Sequence, residues 1–354
     1  MTDRGQDIEQ TPLVSVVIPC RNERDFIEPC LASLLAAPYP ADRLEILVID
    51  GMSDDGTRDR LAAYAASHPA VRVLDNPKRI TPAALNVGIA NAHGEVIMRA
   101  DAHTIYPASY IPSLVRWLLK SGADNVGGLW ITEPGGTSAV ARSIAAALAH
   151  PAGVGNAHYR VGIDEPRWVD TVPFGCYRRD VFDRIGMFDE DLIRNQDDEL
   201  NFRLTRAGGR ILLVPDVECR YRARESLGKL WRTYYQYGYY KPLVARKSGG
   251  VSSWRQLVPP AFAALVIAAA ILAVVVPKRA GVLAGVVAIY LVALLSVSMD
   301  IARRGGLRVA LLSPAAFAVL HFSYGLGYLH GAIAFLVFQR ASARQSVRLS
   351  RLTR

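Results

Sequence analysis

Two runs of twenty residues, 257–276 and 280–299, contain no charged side chain and are overwhelmingly apolar. At about 1.5 Å per residue each forms a helix of about 30 Å, the thickness of a bilayer core. A third uncharged run, 311–338, holds Pro314, His321 and His330; it is long for one span and short for two. Helices buried in a soluble core are the competing reading, but consecutive charge-free runs of this length exceed what such a core needs. The chain is therefore expected to be an integral membrane protein of the cytoplasmic membrane. Its opening, MTDRGQDIEQTPLVS, lacks an apolar signal core, so the part before residue 257 is expected to stay in the cytoplasm.

The net charge of +9 is concentrated rather than spread. Residues 220–247 carry eight basic side chains against one acid, Glu225, interleaved with Tyr221, Trp231, Tyr234, Tyr235, Tyr237, Tyr239 and Tyr240. Rings between cations can stack on nucleic-acid bases. Directly before a first span they point instead to a helix on anionic headgroups, and nucleic acid is not an expected partner. Arg340, Arg344, Arg348 and Arg351 recur at helical spacing in the tail. Three spans would put that tail outside the cytoplasm, against the positive-inside tendency. Cys20, Cys30, Cys176 and Cys219 show neither CxxC nor CxH spacing, which predicts free thiols and neither a disulfide framework nor a zinc site.

From Leu13 onward, apolar strands alternate with helical patterns. LVSVVIP, RLEILVID, VRVLDN and GEVIMRAD read as strands; the segments between them read as helices. That order predicts an α/β domain with a mostly parallel sheet covered on both faces. Ligands in such sheets bind beyond the carboxyl ends of the strands, where Asn22, Glu23, Asp50, Asp55 and Asp101 fall. After residue 125, EPGGTS and PAGVGNAHYRVG read as flexible loops. NQDDELNFRLTRAGGRILLVPD reads as a helix, a Gly-Gly turn and a strand.

The chemistry implied is not that of a P-loop or a dinucleotide fold. There is no GxxxxGK[ST], and PCRNE stands where a GxGxxG turn would follow the first strand. Asp50 can hold a ribose or accept the N–H of a base. A diphosphate-linked substrate calls for a divalent ion with open coordination positions. Asp101 and His103, alternate residues of an extended segment, would face one side and could ligate it. The imidazole favours Mn²⁺ over Mg²⁺. Asp197, Asp198 and Glu199 open a helix with Asn195 at its N-cap, and an acid there can also act as a general base toward a hydroxyl.

Five motifs in order, VSVVIPCRNE, VIDGMSDDGT, NPKRITPAALNVGIANAHGEVIMRADAH, PFGCYRRDVFDRIGMFDEDL and QDDELNFRL, together resemble a family 2 glycosyltransferase with a GT-A fold. The RADAH and QDDELNFRL forms, with spans after the domain, are most similar to the succinoglycan-type membrane glucosyltransferases. The resemblance implies that Asp50 contacts the nucleotide base with Asp55 close by. It further implies that Pro19, Asn22, Glu23, Arg79 and Asn86 line the nucleotide pocket. Asp101 and His103 stand where the family has its DxD motif, with histidine replacing the second acid. Asp197 matches the acid of the family's ED pair, the general base, with Gln196 in place of the glutamate. The processive QxxRW motif is not matched, since Gln236 is followed by YGYYK, so single-sugar transfer is expected.

The organisation expected is a polar tail (1–12), a GT-A domain (13–225), a basic and aromatic interfacial helical segment (226–256), transmembrane helices (257–338) and a basic tail (339–354). The expected function is inverting transfer of one sugar from a nucleoside-diphosphate donor, UDP-linked, to a lipid-linked (polyprenyl) glycan in exopolysaccharide or cell-surface glycan synthesis. A polyprenyl-phosphate glycosyltransferase and a non-enzymatic membrane-anchored sugar-nucleotide sensor are the alternatives.

Overall fold

The computed structural model of the chain describes residues 11–338. The N-terminal tail up to residue 10 and the arginine-rich tail lie outside them. Contacts divide the chain into two compact units: Met1–Trp130 with Gly162–Arg220, and Ile131–Val161 with Tyr221–Arg354.

The first unit alternates as the sequence does. In order it runs β1 (Val14–Cys20), α1 (Ile27–Leu35), β2 (Leu44–Asp50), α2 (Thr57–Ser67), β3 (Val71–Asp75), α3 (Thr81–Asn91), β4 (Val96–Arg99) and α4 (Tyr110–Ser121), then β5 (Asn125–Glu133). The inserted helices α5 (Ala139–Leu148), α6 (Pro151–Val154) and α7 (His158–Val161) belong to the second unit. The first unit resumes with β6 (Arg167–Val169), β7 (Cys176–Arg178), α8 (Asp180–Ile185), α9 (Gln196–Arg206) and β8 (Ile211–Arg222). The sheet order is β3-β2-β1-β4-β7-β5-β8-β6. Its first four strands pair in parallel, and β7 is antiparallel to both β4 and β5. Val16, Ile18, Ile46 and Val48 are fully buried between flanking helices. A sheet covered on both faces loses polar alternation, which is why these strands read as continuous apolar runs. Register aligns Cys20 with Asp50 and Asp50 with Asp75, so the loops after β1, β2 and β3 emerge along one edge.

The second unit continues with α10 (Leu227–Lys247), α11 (Val258–Val275), α12 (Ala280–Gly305) and α13 (Leu307–Ala332). Among the described residues three helical segments are long and apolar enough to cross a membrane: Trp254–Val275, Pro277–Arg303 and Leu307–Val337. The ambiguous third run is thus one helix, ending in a π-helical turn at Ile333–Val337. Pro314 sits inside it because the Ser313 hydroxyl donates to Ala310 O at 2.8 Å, the carbonyl a proline cannot reach.

The expectation of a loop fails at PAGVGNAHYRVG. PAGVGNAHYRVG, with no helical period of its own, folds as α6 and α7, and Ser138 caps α5 by accepting from Ala141 N at 3.0 Å. Tertiary packing overrides the glycine content: Val154 of α6 packs on the core that Ile144, Ala145 and Leu148 of α5 share with Leu294, Ile301, Phe317 and Leu320. His321 Nε2 also lies 2.8 Å from Ala152 O.

Helix α10 packs closely along α13. A Cβ on Gly327 would lie 2.2 Å from Tyr235 O, one on Gly331 2.0 Å from Tyr239 O, and one on Gly238 2.1 Å from Tyr324 O. Tyr239 and Tyr240, read from sequence as headgroup contacts, are buried in this packing, and Tyr235 Oη lies 2.6 Å from His330 Nδ1. Trp254 remains exposed at the start of the first span.

Candidate active site

The β1–α1 and β2–α2 loops are knitted by side chains of the sequence-predicted set. Asn22 Nδ2 donates to Asp54 Oδ1 at 2.9 Å, and Asp54 N returns a bond to Asn22 Oδ1 at 3.1 Å. Glu23 N donates to Thr57 Oγ1 (3.0 Å), and Thr57 donates to Asp55 Oδ1 through both its hydroxyl (2.5 Å) and its N–H (3.0 Å). Burial pushes the Asp55 carboxyl up, but these donors and Arg24 N–H outweigh it and hold the group below its ordinary value.

Asp50 has no exposed surface. Its Oδ1 accepts from Ser53 Oγ (2.5 Å), and its Oδ2 accepts from Ser53 N (3.0 Å) and Arg58 Nη1 (2.7 Å). Arg58 reaches Asp75 Oδ1 as well, at 2.9 Å. Asp75, at the end of β3, is the exposed acid of this trio, at 56%.

The pairing expected at Asp101 and His103 differs from extended-strand geometry. Strand β4 ends at Arg99, and the chain then turns, with Thr104 N donating to Asp101 O (3.3 Å) and Asp101 N to Tyr106 Oη (2.7 Å). The two side chains go to different partners. Asp101 Oδ1 accepts from Arg99 Nη2 at 2.9 Å, while exposed His103 lies with Nδ1 3.3 Å from Glu23 Oε1. Among the described residues no three His, Cys, Asp or Glu side chains gather as a metal group.

Arg99 is the residue that reading the sequence missed. Nearly buried on a core strand, it places Nη1 on Asp197 Oδ2 and Nη2 on Asp101 Oδ1, with its guanidinium 5.6 Å from the Phe174 ring centroid. A buried cation is tolerable only when paired, and here it has two carboxylates. The available signal was the charge itself: an arginine inside the apolar run GEVIMRAD needs a buried acid, and Asp101 two residues on is one.

Asp197 is the first acid of α9. Burial pushes its carboxyl up, and Arg99 opposes the shift without cancelling it. Asp198 turns elsewhere, accepting from Thr171 Oγ1 at 3.5 Å. Asn195 occupies the N-cap position as expected, but in the left-handed region and with no side-chain cap bond. Asn86 ties α3 to the segment before α9, donating to Phe188 O (2.9 Å) and Glu190 Oε1 (3.2 Å) and accepting from Phe188 N (2.9 Å). Arg79 is exposed in the turn after β3, and Pro19 is half-buried near the end of β1. All four cysteines are free and buried.

Among the described residues, five other than glycine have positive φ: Asn22 (55°), Met52 (57°), Arg79 (59°), Phe174 (49°) and Asn195 (62°). Each lies in a loop after β1, β2 or β3, or just before β7 or α9. Backbone held in this region gathers where a site has to be shaped.

A half-parallel sheet with acids beyond its strand ends, and a second acid on a helix facing them, is a GT-A domain. The chain belongs to glycosyl transferase family 2, whose family model matches residues 15–186, and it is a glycosyltransferase. The sensor alternative falls with that assignment. Over 250 residues the chain is 33% identical to the succinoglycan biosynthesis protein ExoA of Rhizobium meliloti (strain 1021), covering 70% of this chain and 74% of that one. It is 26% identical over 247 residues to a dolichyl N-acetyl-alpha-D-glucosaminyl phosphate 3-beta-D-2,3-diacetamido-2,3-dideoxy-beta-D-glucuronosyltransferase of Methanococcus voltae, covering 66% and 74%. The mannosyltransferase PcManGT of Pyrobaculum calidifontis, solved with GDP-Man and Mn2+, shares the fold at TM-score 0.57 and 20% identity, over 88% of this chain and 87% of that one.

Proposed function

We propose that the protein transfers one sugar, with inversion, from a nucleoside-diphosphate donor, UDP-linked, to a lipid-linked glycan at the cytoplasmic face of a membrane. The observation that carries this reading is the pair of carboxylates, Asp101 and Asp197, brought from the turn after β4 and from α9 onto the two ends of one guanidinium. Asp101 lies on the side of the nucleotide loops and serves the donor; Asp197 takes the proton of the acceptor hydroxyl. Asn22, Glu23 and Asp55 shape the nucleotide pocket, and Asp50, locked by Ser53 and Arg58, frames its base end. The lipid-linked acceptor draws support from the carrier named for the Methanococcus relative. The three apolar segments supply the membrane anchor, and α10 packs along the third of them.

A divalent ion fits these residues only as one that arrives with the diphosphate. Asp101 and His103 would hold it, and phosphate oxygens would complete its coordination. Its chemistry is to neutralise charge on the departing nucleoside diphosphate. We expect activity to be lost in excess chelator and to return better with Mn²⁺ than with Mg²⁺; full activity without metal removes this assignment. His103→Asp should move the preference toward Mg²⁺.

The acid limb of kcat/KM against pH should report Asp197. A base must be ionised, and burial raises this carboxyl. The limb therefore lies above the ordinary aspartate value of about 3.9. A limb at or below that value, or one unmoved in Asp197→Glu, assigns the base elsewhere. The test of the function as a whole is transfer of radiolabel from a panel of nucleotide sugars into the lipid extract of membranes containing the protein. Absence of lipid-linked product with every donor defeats it.

A further inference from the structure

Arg99 holds more order than a buried cation needs for its own sake. Its main chain is fastened to Gly175 O (3.0 Å), its guanidinium packs at Phe174, and Phe174 is itself held at φ 49°. The guanidinium is divided between two acids that belong to opposite halves of the reaction. For stability alone, an apolar side chain of similar volume serves as well as a buried ion pair.

We propose that Arg99 is a positioning residue that couples donor binding to the general base: it shares its fork between Asp101 and Asp197, so that a cation recruited to Asp101 with the diphosphate releases Arg99 wholly to Asp197. The proposal rests on the roles given above to those two acids. Arg99 thereby acts in two opposite directions. It competes with a metal ion for the Asp101 carboxylate, and it orients the Asp197 carboxylate toward the acceptor hydroxyl. The planar fork is essential to this, because a lysine ammonium cannot serve two carboxylates in fixed directions.

The test uses the full chain in detergent or membranes, with Mn²⁺ binding measured directly by calorimetry in the presence of UDP, beside kcat. In Arg99→Gln, Mn²⁺ should bind about 10-fold more tightly, the size of effect found for groups one step behind a metal ligand. In the same variant kcat should fall about 10²-fold, as misplacement of a reacting group costs. A lesion of folding loosens both, so opposite signs distinguish positioning from structure. Arg99→Gln with unchanged kcat, or with weaker Mn²⁺ binding, overturns the proposal. If that variant does not fold, Arg99→Lys decides on the same two quantities: reduced kcat with metal binding at least as tight as wild type supports it, and wild-type kcat or weaker binding ends it. Asp197→Asn measured alongside separates the two layers. If Asp197→Asn is slow while Arg99→Gln turns over normally, only the coupling is wrong; if Asp197→Asn itself is fast, the base assignment has failed.

Discussion

Asp197→Asn should lower turnover by about 10²–10⁴-fold while leaving UDP affinity, measured without added metal, nearly unchanged. Asparagine keeps the shape of the side chain and can still meet Arg99, but it cannot take a proton. Asp198→Asn should be much milder, because Asp198 accepts from Thr171 and makes no bond to Arg99. Asparagine also leaves the buried Arg99 with one carboxylate instead of two, so the melting temperature should fall, and turnover and UDP affinity are compared at a temperature where the variant is fully folded. An inactive Asp198→Asn beside an active Asp197→Asn would move the base by one residue. Normal transfer in both variants favours the polyprenyl-phosphate acceptor, whose phosphate oxygen needs no base.

Gly331→Ala should destabilise the second unit, although alanine in a helix ordinarily gains about 0.5–1 kcal/mol over glycine. The added Cβ would meet Tyr239 O at 2.0 Å, and a backbone carbonyl inside α10 cannot rotate away. Relief requires α10 and α13 to move apart, which costs at least the 1–3 kcal/mol typical of overpacking. Gly281→Ala is the matched control, because nothing lies within 4 Å of the point on α12 where its Cβ would stand. Thermal unfolding in detergent should show a lower midpoint for the first variant and an equal or higher one for the second. Equal midpoints for both mean that the close approach of the two helices is not retained in solution.

The parallel half of the sheet was legible because β1, β2 and β4 are buried apolar runs, with the less buried β3 standing between two helical patterns. Pro19 and Asp50 mark the ends of β1 and β2 almost to the residue, whereas β4 stops at Arg99, two residues short of the Asp101 that closes the run GEVIMRAD. The helix at Gln196–Arg206 and the Gly208–Gly209 turn were equally plain. What could not be read was anything that depends on a distant partner. The short helix at Pro151–Val154 packs through Val154 on a core that includes Phe317 and Leu320, far along the chain. In the site, Asp101 and Asp197 were singled out separately by motif. Nothing local says that one arginine joins both to itself, the second across 98 positions of sequence. Asp50 shows the converse, since its place was right but its burial under Ser53 and Arg58 depends on the fold of the next loop.

The interleaving of the two units sets a schedule for the growing chain. The partners of α5 and α6 lie on α12 and α13, and His321 follows the Ala152 carbonyl it meets by 169 residues. At ribosome speeds of about 5–20 residues per second, that separation is roughly 10–30 s. For that interval Ile144, Ala145 and Leu148 have been made and their covering helices have not. A polypeptide released before α13 thus exposes this apolar face for good, so deleting the C-terminal helices removes part of the packing of a segment that begins at residue 139.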